Sequence, residues 1–293
     1  IRSETQVAEG VPAGGYLVAA ANPTLLQAAY AGLTAKGPWL AGPSLSNNGE
    51  KIALSKPGTA PGTWTKVDEV TYATEGDWGQ RVRETVWNGW DWTSPANGGG
   101  KSLEVRNPAL SNDNGQNWAA STATAGGTPG AVNSVNSANV PPVIHGVKHA
   151  PAVPGSADSV TISCEVNDEG AQVTATLFYR DASSTNPGAF QSMAMTSPVA
   201  GKFTAVLPPF FNTTTIEFYI SSSDGTGTRT WPAPTSEGQN ANCIYQVLDE
   251  PPSTTADTYH LMLTAADNQS WENLSDSSDR QYNMTLITQR GTE

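Results

Sequence analysis

The sequence predicts a mainly β protein: two tandem immunoglobulin-like β-sandwiches and a short α+β segment at the C-terminal end. Three observations carry this. Residues 160–166 (Val-Thr-Ile-Ser-Cys-Glu-Val) alternate apolar and polar with the period of two that a half-buried strand requires. Runs of the same kind recur at short intervals, separated by turn-forming clusters such as "NDEG", "VAGK" and "SSDGTG". With 28 Gly, 21 Pro and only 14% charged residues, the composition suits short strands and many turns rather than helical bundles.

In the first region, "GGYLVAAAN" places an apolar strand from Tyr16 to Ala20 after a Gly14-Gly15 bend. Asn22 then caps a short helix with Pro23 at its first position and Gly32 just past its end. A turn at Asn47-Asn48-Gly49 feeds a strand from Lys51 to Ser55, closed by Pro57-Gly58. "KVDEVTYA", Ser102–Val105 and Asn117–Ala119 read as further strands. Residues 122–142 hold few large apolar groups and end in Pro141-Pro142, which reads as a linker.

The second region holds seven short strands in about 110 residues: 143–148, 160–166, 173–179, 190–195, 203–207, 216–221 and 242–247. This is the pattern of an immunoglobulin or fibronectin sandwich. Cys164 and Cys243 are the whole thiol inventory, and the alternation lets both point inward, so they form a disulfide candidate. Two buried free thiols is the alternative. After a Pro-rich joint, Tyr259, Leu261 and Leu263 alternate as a strand and Thr264 caps a short helix carrying Trp271. A last strand places Tyr282, Met284 and Leu286 on one face, and its lack of a following partner predicts a segment of a larger domain.

Residues 1–137 resemble the latter part of a lamin-tail domain as found in bacterial surface proteins. The likeness rests on "GGYLVAAAN", "LSNNGEKIAL", "VDEVTYATEGDW", "GGGKSLEVRNP" and "NWAASTATAGGTPGAVN" in that order. Residues 138–250 resemble the immunoglobulin- or fibronectin-III-like module that follows in such proteins, in "ATLFYR", "FYISSSDGTGTRTWPAP" and "NCIYQV". Residues 251–293 comprise a linker and "DTYHLMLTAADNQSWENL…QYNMTLITQRGTE", which is similar to the first strand, helix and strand of a CotH-type kinase domain. The resemblance implies a multidomain, secreted or cell-surface bacterial parent. It carries no nucleotide or metal ligand over to a residue of this chain.

Chemistry is sparse. A net charge of −12 opposes approach to nucleic acid, and no apolar run nears the roughly 18 residues of a membrane span. "NGGGKSLEV" lacks the upstream Gly of a phosphate loop and opens onto a strand. His145 and His149 belong on one face of an extended segment, too far apart to share a metal. The loops around Asp113 and around Asp168 and Glu169 offer oxygens without completing a calcium loop. No catalytic constellation, cofactor site or metal site is expected.

The sharpest candidate is "TVWNGWDWTS", residues 85–94, where Trp87, Trp90, Asp91 and Trp92 have the vocabulary of a sugar-binding platform. Extended, it puts Trp90 and Trp92 on one side and Asp91 on the other. Shielding of a sandwich core by these rings is the competing and first explanation. The chain therefore reads as a non-catalytic extracellular or cell-surface segment for adhesion or scaffolding. Its partners are then polysaccharide or surface proteins. The alternatives are the targeting region of a secreted CotH-type kinase and a carbohydrate-binding module.

Overall fold

The computed structural model describes residues 10–38, 45–84, 89–170, 172–249, 257–274 and 280–289. The chain is mainly β, as its periodicity requires. It divides into two compact units: residues 1–74 with 94–138, and residues 75–93 with 139–293. The excursion 75–93 leaves its sequence neighbours and belongs to the second unit. From sequence alone it belongs to the first region, residues 1–137; its contacts assign it to the second unit.

In the first unit, helix α1 (Pro23–Ala29) begins where expected, with Asn22 Oδ1 accepting from the Leu25 amide at 3.0 Å. Residues 16–20 form no strand; only an isolated bridge joins Ala19 to Lys36. Strands β1 (Glu50–Pro57) and β2 (Trp64–Tyr72) pair antiparallel. The register runs from Glu50 opposite Tyr72 to Pro57 opposite Trp64, and slips once where Leu54 faces Asp68 and Ser55 faces Lys66. Val67 is thus the extra residue of a bulge on β2, and β1 stays regular.

The chain next forms β3 (Gln80–Arg83) and β4 (Trp90–Thr93), both in the second unit. It returns to the first unit for β5 (Leu103–Val105) and β6 (Trp118–Ala120). The described strands of the first unit make two separate two-stranded sheets, not the two packed sheets expected. Its short apolar runs do not close a core: Ala20 is its one buried apolar residue among those described.

What holds the first unit is a polar anchor. Glu104, in the middle of β5, is buried, and its carboxylate accepts from Thr128 Oγ1 at 2.7 Å and from both the Ser134 amide and hydroxyl at 2.7 Å. Asn117 is also fully buried, accepting from the Asn107 amide at 3.0 Å and donating to its carbonyl at 2.8 Å. Residues 122–138 are therefore fastened to the unit rather than acting as a free linker. Even the proline pair that follows is held, with Arg229 Nε donating to the Pro142 carbonyl at 2.8 Å.

The second unit contains a sandwich. One sheet orders β11 (Thr196–Val199), β12 (Lys202–Leu207), β8 (Val160–Asn167) and β7 (Val143–Ala150). The facing sheet orders β10 (Gln191–Ala194), β9 (Thr174–Asp181) and β13 (Thr215–Ser223). Strands β14 (Thr228–Trp231) and β15 (Cys243–Gln246) share the far edge of β13. The alternation read from residues 160–166 holds: Val160, Ile162, Cys164 and Val166 are all buried, against Leu177, Ile216, Phe218, Ile220 and Tyr245.

Both expectations about single residues in this sandwich change. Cys164 and Cys243 do point into the core, but both are free thiols, so the candidate disulfide is not formed. They sit on facing sheets, Cys164 opposite Phe203 on β12 and Cys243 opposite Phe218 on β13, with bulky side chains at both places. His145 and His149 do not share a face. Gly146, with φ +60°, opens a bulge between His145 and Lys148, which reverses the alternation. His149 turns inward to stack on Tyr245 at 5.4 Å between ring centres, while His145 Nε2 meets Asn167 Nδ2 at 3.0 Å.

The C-terminal segment packs into the same unit. Strands β16 (Thr258–Met262) and β17 (Thr285–Gln289) pair with each other, with helix α2 (Ala265–Glu272) between them. Thr264 caps α2 through the Asp267 amide at 3.1 Å, as its position predicts. Tyr282 and Met284 fall just before the last strand rather than in it.

Candidate functional site

The aromatic cluster belongs to the β3–β4 hairpin. Arg81 pairs with Trp92, Val82 with Asp91 and Arg83 with Trp90. Alternation puts both arginines and both tryptophans on one face, since directly opposed residues project to the same side. Trp90 and Trp92 do share a side, as the sequence suggests, but that side does not face open solvent. The Arg83 guanidinium lies 3.8 Å from the centre of the Trp90 ring, and that of Arg81 lies 5.4 Å from the Trp92 ring. Such pairs are attractive because the cation meets the negative face of the ring.

The other ends of these side chains reach different parts of the unit. Arg81 Nη2 donates to the Ala241 carbonyl at 2.6 Å, and its Nη1 donates to Asn283 Oδ1 at 3.1 Å. Arg83 Nε donates to Glu237 at 3.2 Å. The Ser236 amide donates to the Arg81 carbonyl at 2.8 Å, and the Trp90 amide donates to the Gln281 carbonyl at 2.9 Å. Arg280 closes the ring of contacts on Glu84 at 3.0 Å. Gly89 lets the two segments approach closely: a Cβ there would stand 3.1 Å from both Arg280 Cβ and the Gln281 carbonyl oxygen, which would have to give by a few tenths of an ångström.

Of the residues singled out in the sequence, Trp90 is 4% exposed, Trp92 is half-buried and Asp91 is exposed. Trp87 lies outside the described residues. Trp90 therefore presents no free ring face on which a sugar could stack, and the cluster's geometry is that of a clamp. It joins the loop 235–241 to the segment 280–283.

Beside the clamp lies a charged group that sequence reasoning missed. Glu217, on the outer face of β13, is 1% exposed and takes Arg180 Nε at 2.7 Å and Asn242 Nδ2 at 2.7 Å. Arg180 also lies 4.2 Å from the Phe190 ring centre. Asn283 Nδ2 donates to the Asn242 carbonyl at 2.7 Å, which links this network to the residues the clamp holds. Burial pushes the Asp267 carboxyl up; the Thr264 hydroxyl opposes this, Glu217 adds to it and Arg83 opposes it. The only sequence signal was a charge at a position whose neighbours, Ile216 and Phe218, are apolar.

Asp168 and Asp224 accept within their own turns, whereas Glu169 reaches 29 positions back along the chain. Asp168 takes the Gly170 amide at 2.9 Å, Glu169 the Val140 amide at 2.6 Å, and Asp224 the Thr226 and Gly227 amides at 2.6 Å. Among the described residues, no group of three or more His, Cys, Asp or Glu side chains is arranged to hold a metal. No described helix is long and apolar enough to cross a membrane. In the first unit, a groove of about 390 Å³ lies between the two small sheets, lined in part by Ile52, Val70, Tyr72, Leu103 and Trp118.

No family model matches the chain. No curated protein matches it either. Among solved structures, a novel β-glucosidase from Paenibacillus barengoltzii is similar over 50% of this chain, at 15% identity and a TM-score of 0.17. The likeness covers 18% of that enzyme's own length, and at this level it bears on neither fold nor activity.

Proposed function

We propose that this chain is a non-catalytic presenting segment of a larger extracellular or cell-surface protein. The observation that supports the reading is the clamp. Four side chains that could have formed an open recognition surface are spent on fastening residues 280–283 to the loop 235–241. A module built this way holds its C-terminal segment in a fixed place, which is the requirement for presenting whatever follows. The lamin-tail and CotH resemblances fit the same role, in which these modules position a domain encoded downstream. Polysaccharide or another surface protein remains the partner class that goes with it.

Two experiments test the reading. The coding sequence after Glu293 is expected to continue into a further domain; an immediate stop codon would overturn the presenting role. Titration of the purified chain with soluble polysaccharides, read by Trp fluorescence, is expected to show no saturable change that depends on the clamp. Saturable binding abolished by Trp92→Ala, with the fold intact by circular dichroism, would replace the clamp reading with a carbohydrate-binding one.

A further inference from the structure

We infer that the outer edge of β1 is a self-recognition surface through which two copies of this chain pair antiparallel about Ala53. Among the described residues, β1 has β2 on one edge and no strand on the other, and every residue of it after Glu50 is exposed. An unpaired edge of eight residues is a template for another strand, which proteins blunt with lysines, prolines or bulges; β1 carries Lys51, Lys56 and a terminal Pro57, but its central residues 52–55 are uncharged. Here the bulge lies on β2, at Val67, and β1 has no extra residue of its own.

The order of residues along β1 selects a second copy as the occupant. An antiparallel pair centred on Ala53 sets Glu50 opposite Lys56 of the other copy, Ile52 opposite Leu54, and Lys51 opposite Ser55. Glu50, Ile52, Leu54 and Lys56 all project to one face. Each copy therefore supplies to that face an acid at one end, two aliphatic side chains in the middle and a base at the other end. Reversal by a two-fold axis matches acid to base at both ends and aliphatic to aliphatic between.

Ile52 and Leu54 are 42% and 60% exposed, so the pairing would take real apolar area from water. Lys56 makes no ion pair with a described residue. Glu50 spends one oxygen, Oε1, on the Ser46 amide at 2.9 Å and the Tyr72 hydroxyl at 3.3 Å, leaving Oε2 for a partner. On the opposite face Lys51 is already engaged by Glu69 at 3.3 Å and meets only a serine across the axis. The interface is isologous and closes on itself, giving a dimer rather than a fibre.

Sedimentation velocity from micromolar to millimolar concentration is expected to show a reversible dimer. Lys56→Glu puts acid opposite acid at both ends and is expected to weaken the dimer at least about tenfold, since opposed like charges destabilise a strand pair. Glu50→Lys does the same with bases. Mixing the two variants restores both charge matches, so the mixture is expected to dimerise where neither variant does alone. Register is read independently: Ala53→Cys places two thiols directly across the axis, within the Cα separation of about 4.5–5.5 Å that opposed strand residues share. It is expected to crosslink on mild oxidation, whereas Ser55→Cys is not. A chain that stays monomeric throughout the range, a dimer indifferent to both charge reversals, or equal crosslinking at positions 53 and 55 would each overturn the inference. The crosslink stands even if Glu50→Lys, which also removes the acceptor for Ser46, fails to fold.

Discussion

Arg83 holds its guanidinium 3.8 Å from the centre of the Trp90 ring while its Nε donates to Glu237 at 3.2 Å. One side chain thus caps the buried ring of β4 and fastens the loop of the neighbouring sheet. Trp90→Ala removes a ring that is 4% exposed and leaves a cavity, so a loss of about 3–5 kcal/mol is expected in urea unfolding of the second unit. Arg83→Lys keeps the charge but not the flat face, and about 1 kcal/mol is expected from it. The readout that separates a clamp from simple packing is proteolysis. Both variants should speed cleavage within 257–289 before global unfolding.

Glu104 gives the first unit an acid-sensitive lock. Burial pushes its carboxyl up, but hydrogen bonds from the side chains of Ser134, Thr128 and Ser121 and from the Ser134 amide outweigh that and hold it at about 2. Because the folded value lies below the unfolded one, the native state binds the proton less tightly. The stabilisation is fully present above the ordinary glutamate range near pH 4–5 and is lost as pH falls toward 2. Its size is about 2–3 kcal/mol. Glu104→Gln should remove this acid dependence, and amide exchange in residues 126–134, compared between pH 6 and pH 3, checks it.

How much of this was legible follows from which interactions are local. The caps at Asn22 and Thr264 depend on residues three positions away, and both helices begin where the sequence puts them. The strand 160–167 buries its alternate residues because period two is a property of the strand itself. What the sequence hid is long-range. The residues that hold the Glu104 carboxylate come from 24 and 30 positions along the chain. Arg81 finds its acceptors 160 and 202 positions away. The histidine pair shows a third kind of miss, since a single glycine bulge at 146 reverses a parity that composition cannot reveal.

The two thiols should be inert in the native chain. Burial pushes Cys164 up to about 12, with Glu165 adding to it, and burial pushes Cys243 to about 12 against the opposing charge of Arg81. Neither is a thiolate at pH 8, and the thiolate is the reactive form. An aromatic disulfide reagent is expected to label neither native cysteine at that pH and both in denaturant. The linkage has a definite sign: a raised folded value means the unfolded state loses its protons first. Stability should therefore fall as pH rises above about 9 toward 12. Rapid labelling of native protein by one equivalent of reagent would show that the Cys243 site opens.

Glu217 and Arg180 make the most sensitive contact in the second unit. The carboxylate is 1% exposed, and besides Arg180 it takes only the Asn242 amide nitrogen, so removing Arg180 strands it; Arg180 is 22% exposed and keeps the Gly188 carbonyl and the Phe190 ring. Breaking a buried pair from one side costs about 3–5 kcal/mol, more than the pair is worth against an apolar replacement of the same shape. Arg180→Leu should therefore destabilise the unit more than Glu217→Leu, while the double variant with Leu at both positions recovers most of the loss. Urea midpoints for the four proteins, treated as a thermodynamic cycle, measure this coupling. Near-additive effects would mean that water reaches Glu217 and screens the pair. The same cycle run with Asn283→Ala should show weaker coupling to Glu217, because Asn283 reaches the network through the Asn242 carbonyl alone.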